Sequence, residues 1–593
     1  MPGRTSHYAD LVKDAIPLYL QNKRLEAYDL LDDKKYVEAH GGKVENEPDA
    51  SSLLKATNAM INLVEGLLSG SSENLSKCID DFWAAEKLSN YSKDKEWIGN
   101  RISRGLSYMF GGLLQVFVGS YVKAGMNLTV GFKLIRDVEE DVLSYEGADK
   151  ELIRSMGLLV LGLLNFFAIF LPPSITTIGD YLGLGLSKEK FSTFMGSCNT
   201  EGGVFSYISR LILVYYMVNS KNFMLDRTSP EDVAECRALL DSCIKDAPDS
   251  VIVRVMNASV CLAEGKPDAA VATLSDAKIR EVNERPEWAT MALATEYKLG
   301  VAYLCCMDFV NAGAAFGRAA LCVERIDSWN YIPFMKSLEV QSLFASVSVG
   351  AVEMGDITEF RKKALSMVRP AIVNRDTAKT IVLPGDLWGA RTAWDYGCMS
   401  RDFSDKRLVE YIKSQSPVVD LLFALLTCLY QFDKVEHSRL KNFVTENQSL
   451  LDMSRMRTHV MLGEFYRKSG KYNKAVNCFD DAIAMADRLR EDGKKDTDAI
   501  LCFSLVFQGA ALCVDGETET AKEVLADLDA AIEDLKSQRK VGIVQSFSGV
   551  PVVGSPGDNL EIVAGNLVNP NGGELDLLLS FRRSSLKRKI DGI

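Results

Sequence analysis

The chain has 593 residues, of which 47% are hydrophobic and 25% charged, as in an ordinary soluble protein. This length exceeds what one compact core supports, so the sequence predicts several domains or an array of repeats. The net charge of −12 argues against general, non-specific binding of nucleic acid, because phosphate binding needs a positive surface.

The cysteines and histidines show no spacing that would build a site. The 13 cysteines form no CxxC pair, and only Cys305 and Cys306 are adjacent. Scattered thiols are typical of reduced, buried side chains in a cytosolic protein. The four histidines lie far apart, and the first residues lack the apolar block of a signal peptide. We therefore predict a cytoplasmic chain with no cofactor and no metal site.

Residues 1–225 are predicted to form a helical block that contains two long uncharged helices, 105–122 and 156–171. Their length approaches the roughly 20 apolar residues that a membrane span needs. Gly157 and Gly162 permit close helix approach, however, and Asn165 carries a polar group that lipid would not satisfy. We therefore favour buried central helices that pack against each other. A membrane anchor built from both helices is the alternative.

Residues 226–540 contain helix pairs with the period of about 34 residues that marks tetratricopeptide-like repeats. Such a pair needs small residues where its two helices cross and larger apolar residues around the crossing. Two units fill all six packing positions with suitable residues: Leu299, Gly300, Tyr303, Ala312, Phe316 and Ala319 in one, and Leu462, Gly463, Tyr466, Ala475, Phe479 and Ala482 in the other. Weaker units contain Gly265 and Gly516 in their turns. We predict an all-α fold, an α-α superhelix with degenerate repeats and a short irregular C-terminal tail.

The tail, residues 541–593, begins with glycine- and proline-rich turns and ends in a basic segment. Turn residues at this density predict turns and short extended segments, either partly disordered or packed back on the solenoid. Five of the eight residues from Arg582 to Lys589 are basic. This segment fits a solvated terminus, a nuclear-import or acidic-partner patch, or a contact with anionic lipid. Phosphorylation of Ser584 or Ser585 would weaken the last two.

A stacked array of helix pairs forms a groove that accepts a helix or an extended segment of another protein. Groove contacts come from the first helix of each pair, at positions that packing does not use. By this rule the sequence predicts a partner groove lined by Glu296, Lys298, Arg457, Glu464 and Arg467.

Three N-terminal blocks resemble the tetratricopeptide repeat protein 39 family, which includes fungal inclusion-body-clearance proteins of the mitochondrial outer membrane. The blocks are Glu26–Leu31, Gly112–Gly125, and Gly162–Phe166 followed by Leu171–Pro173. The resemblance implies a non-enzymatic helical scaffold without catalytic residues. It also implies a role in protein quality control or lipid homeostasis, and the mitochondrial outer membrane or the nucleus as further locations.

The sequence contains no recognisable catalytic motif. The glycine-rich loop Gly183–Lys188 lacks the spacing of a phosphate-binding loop, and neither HExxH nor GxSxG occurs. We predict that the protein is not an enzyme but a scaffold or adaptor for other proteins. An organelle-membrane-associated protein, anchored by helices 105–122 and 156–171, is the alternative. The identity of the partner and the oligomeric state do not follow from the sequence.

Overall fold

The described part of the chain consists almost entirely of α-helices. The computed structural model describes residues 6–32, 35, 49–69, 72–117, 120–147, 149–170, 187–221, 224–226, 228–325, 331–372, 384–429, 452–491, 498–547 and 573–591. Within these ranges there is no β-strand, which agrees with the all-α prediction.

The N-terminal helices precede the first predicted repeat. They are α1 (His7–Leu20), α2 (Arg24–Leu30), α3 (Ser51–Ser69), α4 (Ser72–Tyr91), α5 (Ile98–Phe117), α6 (Tyr121–Asp137), α7 (Glu139–Leu143), α8 (Lys150–Phe170), α9 (Lys188–Glu201) and α10 (Gly203–Tyr215). A π-helical turn, Tyr216–Ser220, extends α10.

The next helices cover the first repeats and the irregular region. They are α11 (Pro230–Asp246), α12 (Val251–Ala263), α13 (Pro267–Leu274), α14 (Ala277–Asn283), α15 (Ala289–Cys305), α16 (Phe309–Arg325), α17 (Ile332–Ser348), α18 (Ile357–Ile372), α19 (Pro384–Asp402), α20 (Asp405–Lys413) and α21 (Ser416–Leu429). The last helices are α22 (Asp452–Lys468), α23 (Tyr472–Glu491), α24 (Asp498–Asp515), α25 (Thr518–Phe547) and α26 (Gly573–Asp591).

Helix starts and turns follow local chemistry. Ser229 and Asp232 form a reciprocal capping box at the start of α11, with Pro230 in the first helical position. Gly265 and Gly516, predicted to lie in inter-helix turns, have φ angles of 74° and 91°. Only glycine adopts this left-handed conformation without strain, so it can reverse the chain tightly between paired helices.

Successive helices pack against each other as hairpins, which makes the described chain an α-solenoid of tetratricopeptide type. The pairs α15–α16 and α22–α23 show how sequence fixes this packing. A Cβ atom on Gly300 would lie 2.6 Å from a ring carbon of Phe316, and one on Gly463 would lie 2.4 Å from Phe479. Helices can cross this closely only because the crossing residue has no side chain.

The other predicted packing residues of these two units lie in the same interfaces. The structure buries Leu299, Ala312, Phe316 and Ala319 in the first unit, and Leu462, Ala475, Phe479 and Ala482 in the second. Tyr303 and Tyr466 are partly buried against the same core.

The helix predicted as a buried centre, α8, is enclosed by protein from Leu152 to Asn165, apart from the partly exposed Arg154. Gly162 lies against Met195 of α9, the helix that packs most extensively on α8. Asn165 donates a hydrogen bond to the Leu161 carbonyl and accepts one from the Ser187 amide. The polar group is therefore satisfied within the protein. The predicted stop at Pro172 and Pro173 lies outside the described residues.

The expected pairing of the two apolar helices occurs only in part. Helix α5 packs mainly on α6, where a Cβ atom on Gly131 would lie 2.6 Å from the backbone of Met109, and touches α8 less extensively. Across the part of the chain that the structure describes, no helix combines the length and apolarity that crossing a membrane requires.

The predicted C-terminal tail contains a helix where turns and short extended segments were expected. Residues 573–591 form α26, and α25 continues to Phe547, past the predicted boundary at residue 540. The basic segment from Arg582 to Lys589 lies within α26. It packs back on the solenoid, against α24, α25 and α19. Packing back was one of the two arrangements that the sequence left open.

Replacing glycine with alanine should have opposite effects on stability at Gly463, which lies at a helix crossing, and at Gly196, which does not. We expect Gly463→Ala to lower the free energy of unfolding by about 1–3 kcal/mol, because its Cβ atom overlaps the buried Phe479 ring. In Gly196→Ala of α9 the Cβ atom has open space, and the helix should gain up to about 1 kcal/mol. Urea denaturation of both variants tests this, and a Gly463→Ala chain as stable as the wild type would contradict the close crossing.

Candidate partner-binding groove

The five predicted groove residues occupy different environments. Lys298, Glu464 and Arg467 are only 7%, 3% and 2% exposed, so a surface partner cannot reach them in this structure. Burial lowers the pKa of Lys298 to about 8. Glu296 pairs with Arg318 at 2.9 Å, and Arg457 pairs with Asp420. Lys298, Glu464 and Arg467 are therefore not the exposed positions that the groove prediction assumed.

Glu464 and Arg467 form a buried ion pair one helical turn apart on α22. Arg467 Nε lies 2.5 Å from Glu464 Oε1, and Nη2 lies 2.9 Å from Oε2. Arg467 Nη1 also donates to the Leu225 carbonyl at 2.9 Å. Burial raises the pKa of Glu464, but Arg467, with smaller contributions from Lys468 and Arg582, outweighs this, and the net pKa lies below the ordinary value. The pair thus remains charged and connects the last repeats to residues 224–226.

Residues 224–226 also contact the C-terminal helix. Lys589 Nζ of α26 lies 2.5 Å from Asp226 Oδ1, and Lys188 Nζ lies 3.3 Å from Asp226 Oδ2. Burial raises the pKa of Asp226, but Lys589 and then Lys188 outweigh it and hold the pKa below its usual value. Ser585 Oγ contacts the Met224 sulfur at 3.8 Å.

The first helix of the last repeat, α24, provides the apolar part of the contact with α26. The guanidinium of Arg582 lies 4.7 Å from the ring centre of Phe507 and 5.3 Å from that of Phe503. Arg582 is 0% exposed, and stacking on aromatic faces is a favourable position for a desolvated guanidinium. Leu586 fills the space over Gly509, where a Cβ atom would lie 2.8 Å from it.

We call the surface under α26 the C-terminal groove. It is defined by Asp226, Glu464, Phe503, Phe507, Gly509 and Asp529. Arg583 forms a two-point ion pair with Asp529 of α25, with 2.6 Å between Nη2 and Oδ2. Arg582 carries a charge near Glu464 and contributes to the lowered pKa of that carboxyl. The groove therefore combines an aromatic floor with three carboxylates, and a basic helix occupies it.

Arg457 belongs to a separate polar network in the irregular region. Asp420 accepts from Arg457 at 2.5 Å, from Tyr411 at 2.8 Å and from Ser454 at 3.1 Å, and Tyr396 lies 3.1 Å from Tyr411 between hydroxyl oxygens. Burial and the Asp420 charge raise the pKa of Tyr411. The network joins helices α19 to α22, so Arg457 has a structural contact that the sequence did not predict.

The described residues contain no group of three His, Cys, Asp or Glu placed to hold a metal ion. Burial raises the pKa of the Cys305 thiol to about 12, which suppresses the reactive thiolate. Most of the glycine-rich loop, residues 183–186, lies outside the described ranges, whereas Ser187 caps α9 by accepting from the Lys190 amide.

The sequence reasoning missed Asp226, Phe503, Phe507 and Asp529. Phe503 and Phe507 are four residues apart on the first helix of a predicted repeat, a spacing that places both on one helix face. This spacing is the sequence signal that indicates an aromatic face on α24.

Comparisons with known proteins find no matching family model and no matching curated protein. Among solved structures, the chain is similar to a monomeric mutant of IFIT1 with m7Gppp-AAAA, with a TM-score of 0.30, 12% identity and coverage of 89% of this chain and 97% of that one. It is also similar to the APC/C hetero-tetramer Cut9–Hcn1, with a TM-score of 0.24, 12% identity and coverage of 88% and 96%. These scores carry no inference about ligands of this chain.

The buried ion pair predicts a large effect of removing one partner. We expect Arg467→Met to destabilise the protein by about 3–5 kcal/mol, because Glu464 would remain buried as an uncompensated charge. The control is Arg455→Met on the same helix, where an exposed ion pair should contribute less than about 1 kcal/mol. Urea denaturation measures both. Equal midpoints for the two variants would show that the pair does not hold α22 to residues 224–226.

Proposed function

We propose that the chain is a non-enzymatic scaffold that binds helical or extended segments of other proteins along its helical repeats. One observation supports this most directly: the solenoid already holds a helix, α26, in a groove formed by residues from α22, α24, α25 and residues 224–226. The contacts include aromatic stacking, small-residue packing and ion pairs. Helix-binding grooves likewise receive one face of an amphipathic helix through anchors three or four residues apart.

The family resemblance extends this proposal to a cellular role. Its implied roles are protein quality control or lipid homeostasis, and its implied locations are the cytoplasm, the mitochondrial outer membrane and the nucleus. We propose the cytoplasm as the principal location, which is also what the cysteine pattern predicts.

Affinity purification of the tagged full-length chain tests the scaffold function. We expect specific proteins to be enriched over a tag-only control. A Glu296→Arg/Arg318→Glu double variant retains an ion pair but reverses the charges that it presents on α15 and α16. It should lose those proteins that bind there and should keep its stability. Purification with no protein enriched over the control would reject the scaffold function.

A second candidate function is peripheral contact with an anionic membrane surface, through α6. Val122, Met126 and Val130 follow one another at every fourth residue and are 80%, 68% and 42% exposed. Lys123 and Lys133 are also exposed, and α6 has no acidic residue before Asp137. Interfacial helices combine such an apolar face with basic residues and lie on a bilayer.

Vesicle sedimentation tests this second candidate. The full chain should sediment with vesicles that contain phosphatidylserine and remain in solution with phosphatidylcholine alone. A Val122→Asp/Met126→Asp variant should bind at least about tenfold more weakly, since each apolar side chain contributes about 1.5–3 kcal/mol when buried. Leu25→Asp, an exposed apolar residue of α2, is the control. Equal sedimentation of the wild type and the double variant would exclude α6 as the contact.

A further inference from the structure

We propose that the C-terminal groove is a binding site for a basic amphipathic helix of another protein, and that α26 occupies it as an intramolecular competitor. The proposal rests on the scaffold function and specifies its partner class. The recognised pattern is arginine, then leucine four residues later, then lysine three residues after that. In α26 these residues are Arg582, Leu586 and Lys589.

The spacing of these residues places them on one side of the helix, as in known helix-in-groove complexes. Each meets a separate part of the groove. Arg582 stacks on Phe503 and Phe507, Leu586 lies over Gly509, and Lys589 pairs with Asp226. A partner helix with the same three side chains could therefore make the same contacts.

Charge complementarity favours a basic ligand. Asp226, Glu464 and Asp529 surround the site, and α26 brings Arg582, Arg583 and Lys589 to them. An acidic helix would meet like charges in the same positions. The net charge of −12 for the whole chain also favours association with basic segments.

The contacts of α26 extend beyond those of a helix that only caps the last repeat. A terminal cap needs to cover α24 and α25, but α26 also contacts residues 224–226 and α19. Two polar side chains, Arg582 and Ser585, are among its buried residues. The groove therefore provides specific polar contacts in addition to apolar cover.

Displacement of α26 is compatible with the nature of these contacts. The Arg583–Asp529 pair has side chains that are 35% and 42% exposed, and such pairs contribute little in water. A partner that offers equivalent ion pairs can replace those lost. Because α26 belongs to the same chain, its competition with a partner does not depend on protein concentration.

Ser585 and Ser584 offer a matched pair of variants that test this inference. Ser585 is buried against Met224, whereas Ser584 is only partly buried. A carboxylate at residue 585 would face a groove that already holds Asp226 and Glu464. We expect full-length Ser585→Glu to release α26 from the groove and Ser584→Glu to leave it in place.

The probe is a fluorescent peptide of residues 573–591, followed by anisotropy. The peptide should bind full-length Ser585→Glu at least about tenfold more tightly than the wild type or Ser584→Glu, because the groove is open in a larger fraction of molecules. A Lys589→Glu peptide should not bind the opened chain. It should bind once Asp226→Lys is added to that chain, which restores the ion pair with opposite signs.

Several outcomes would overturn the inference. One is a folded Ser585→Glu chain, with unchanged circular dichroism and elution volume, that binds the peptide no more tightly than the wild type. Another is unfolding of both Ser585→Glu and Arg583→Glu, which would make α26 an obligatory cap.

Dimerisation of the opened chain would identify the ligand as the helix of a second copy of this chain and would overturn the inference of a different partner protein. Failure of peptide binding with specific proteins still co-purifying would reject this groove and retain the scaffold function. Peptide binding without any co-purifying protein would retain the groove as a helix-binding site and reject the scaffold function.

Discussion

The buried ion pair of Glu464 and Arg467 is the constraint on which the C-terminal groove depends. Removing two charges from water costs several kcal/mol per ion, so such a pair persists only with good geometry and satisfied hydrogen bonds. Here the two-point contact and the Leu225 carbonyl provide both. Leu225 has a φ angle of 61°, a left-handed conformation that costs about 1–2 kcal/mol outside glycine. Arg467 thus helps to hold a strained residue, and with it the position of Asp226.

This constraint explains why the groove is acidic at one end. Fixing Leu225 directs Asp226 towards Lys188 and Lys589, and the two lysines together keep its carboxyl charged despite burial. Glu464 remains charged for a similar reason, with Arg467 as its main counterion. Carboxylates held in position in this way can receive a basic helix without further rearrangement, which reduces the cost of binding.

The sequence predicted those features that depend on local spacing and missed those that depend on distant segments. Gly300 and Gly463 were predicted at helix crossings because each crossing joins helices adjacent in the chain. Arg467 was predicted at the surface because one of the groups that it contacts, the Leu225 carbonyl, lies 242 residues away. Helix α26 was missed for a related reason. Its basic residues suggest a solvated tail, and the carboxylates that pair with them come from α25 and from residues 224–226.

Helices α8 and α26 represent two ways of holding a helix in one solenoid. Helix α8 is enclosed by apolar packing, and exposing each buried leucine would cost about 1.5–3 kcal/mol that no solvent interaction replaces. Helix α26 is held in part by ion pairs, whose loss water largely compensates when they are exposed. The uncharged helix that resembled a membrane anchor is therefore fixed in the interior. The charged segment that resembled a free tail is the one whose contacts another helix can replace.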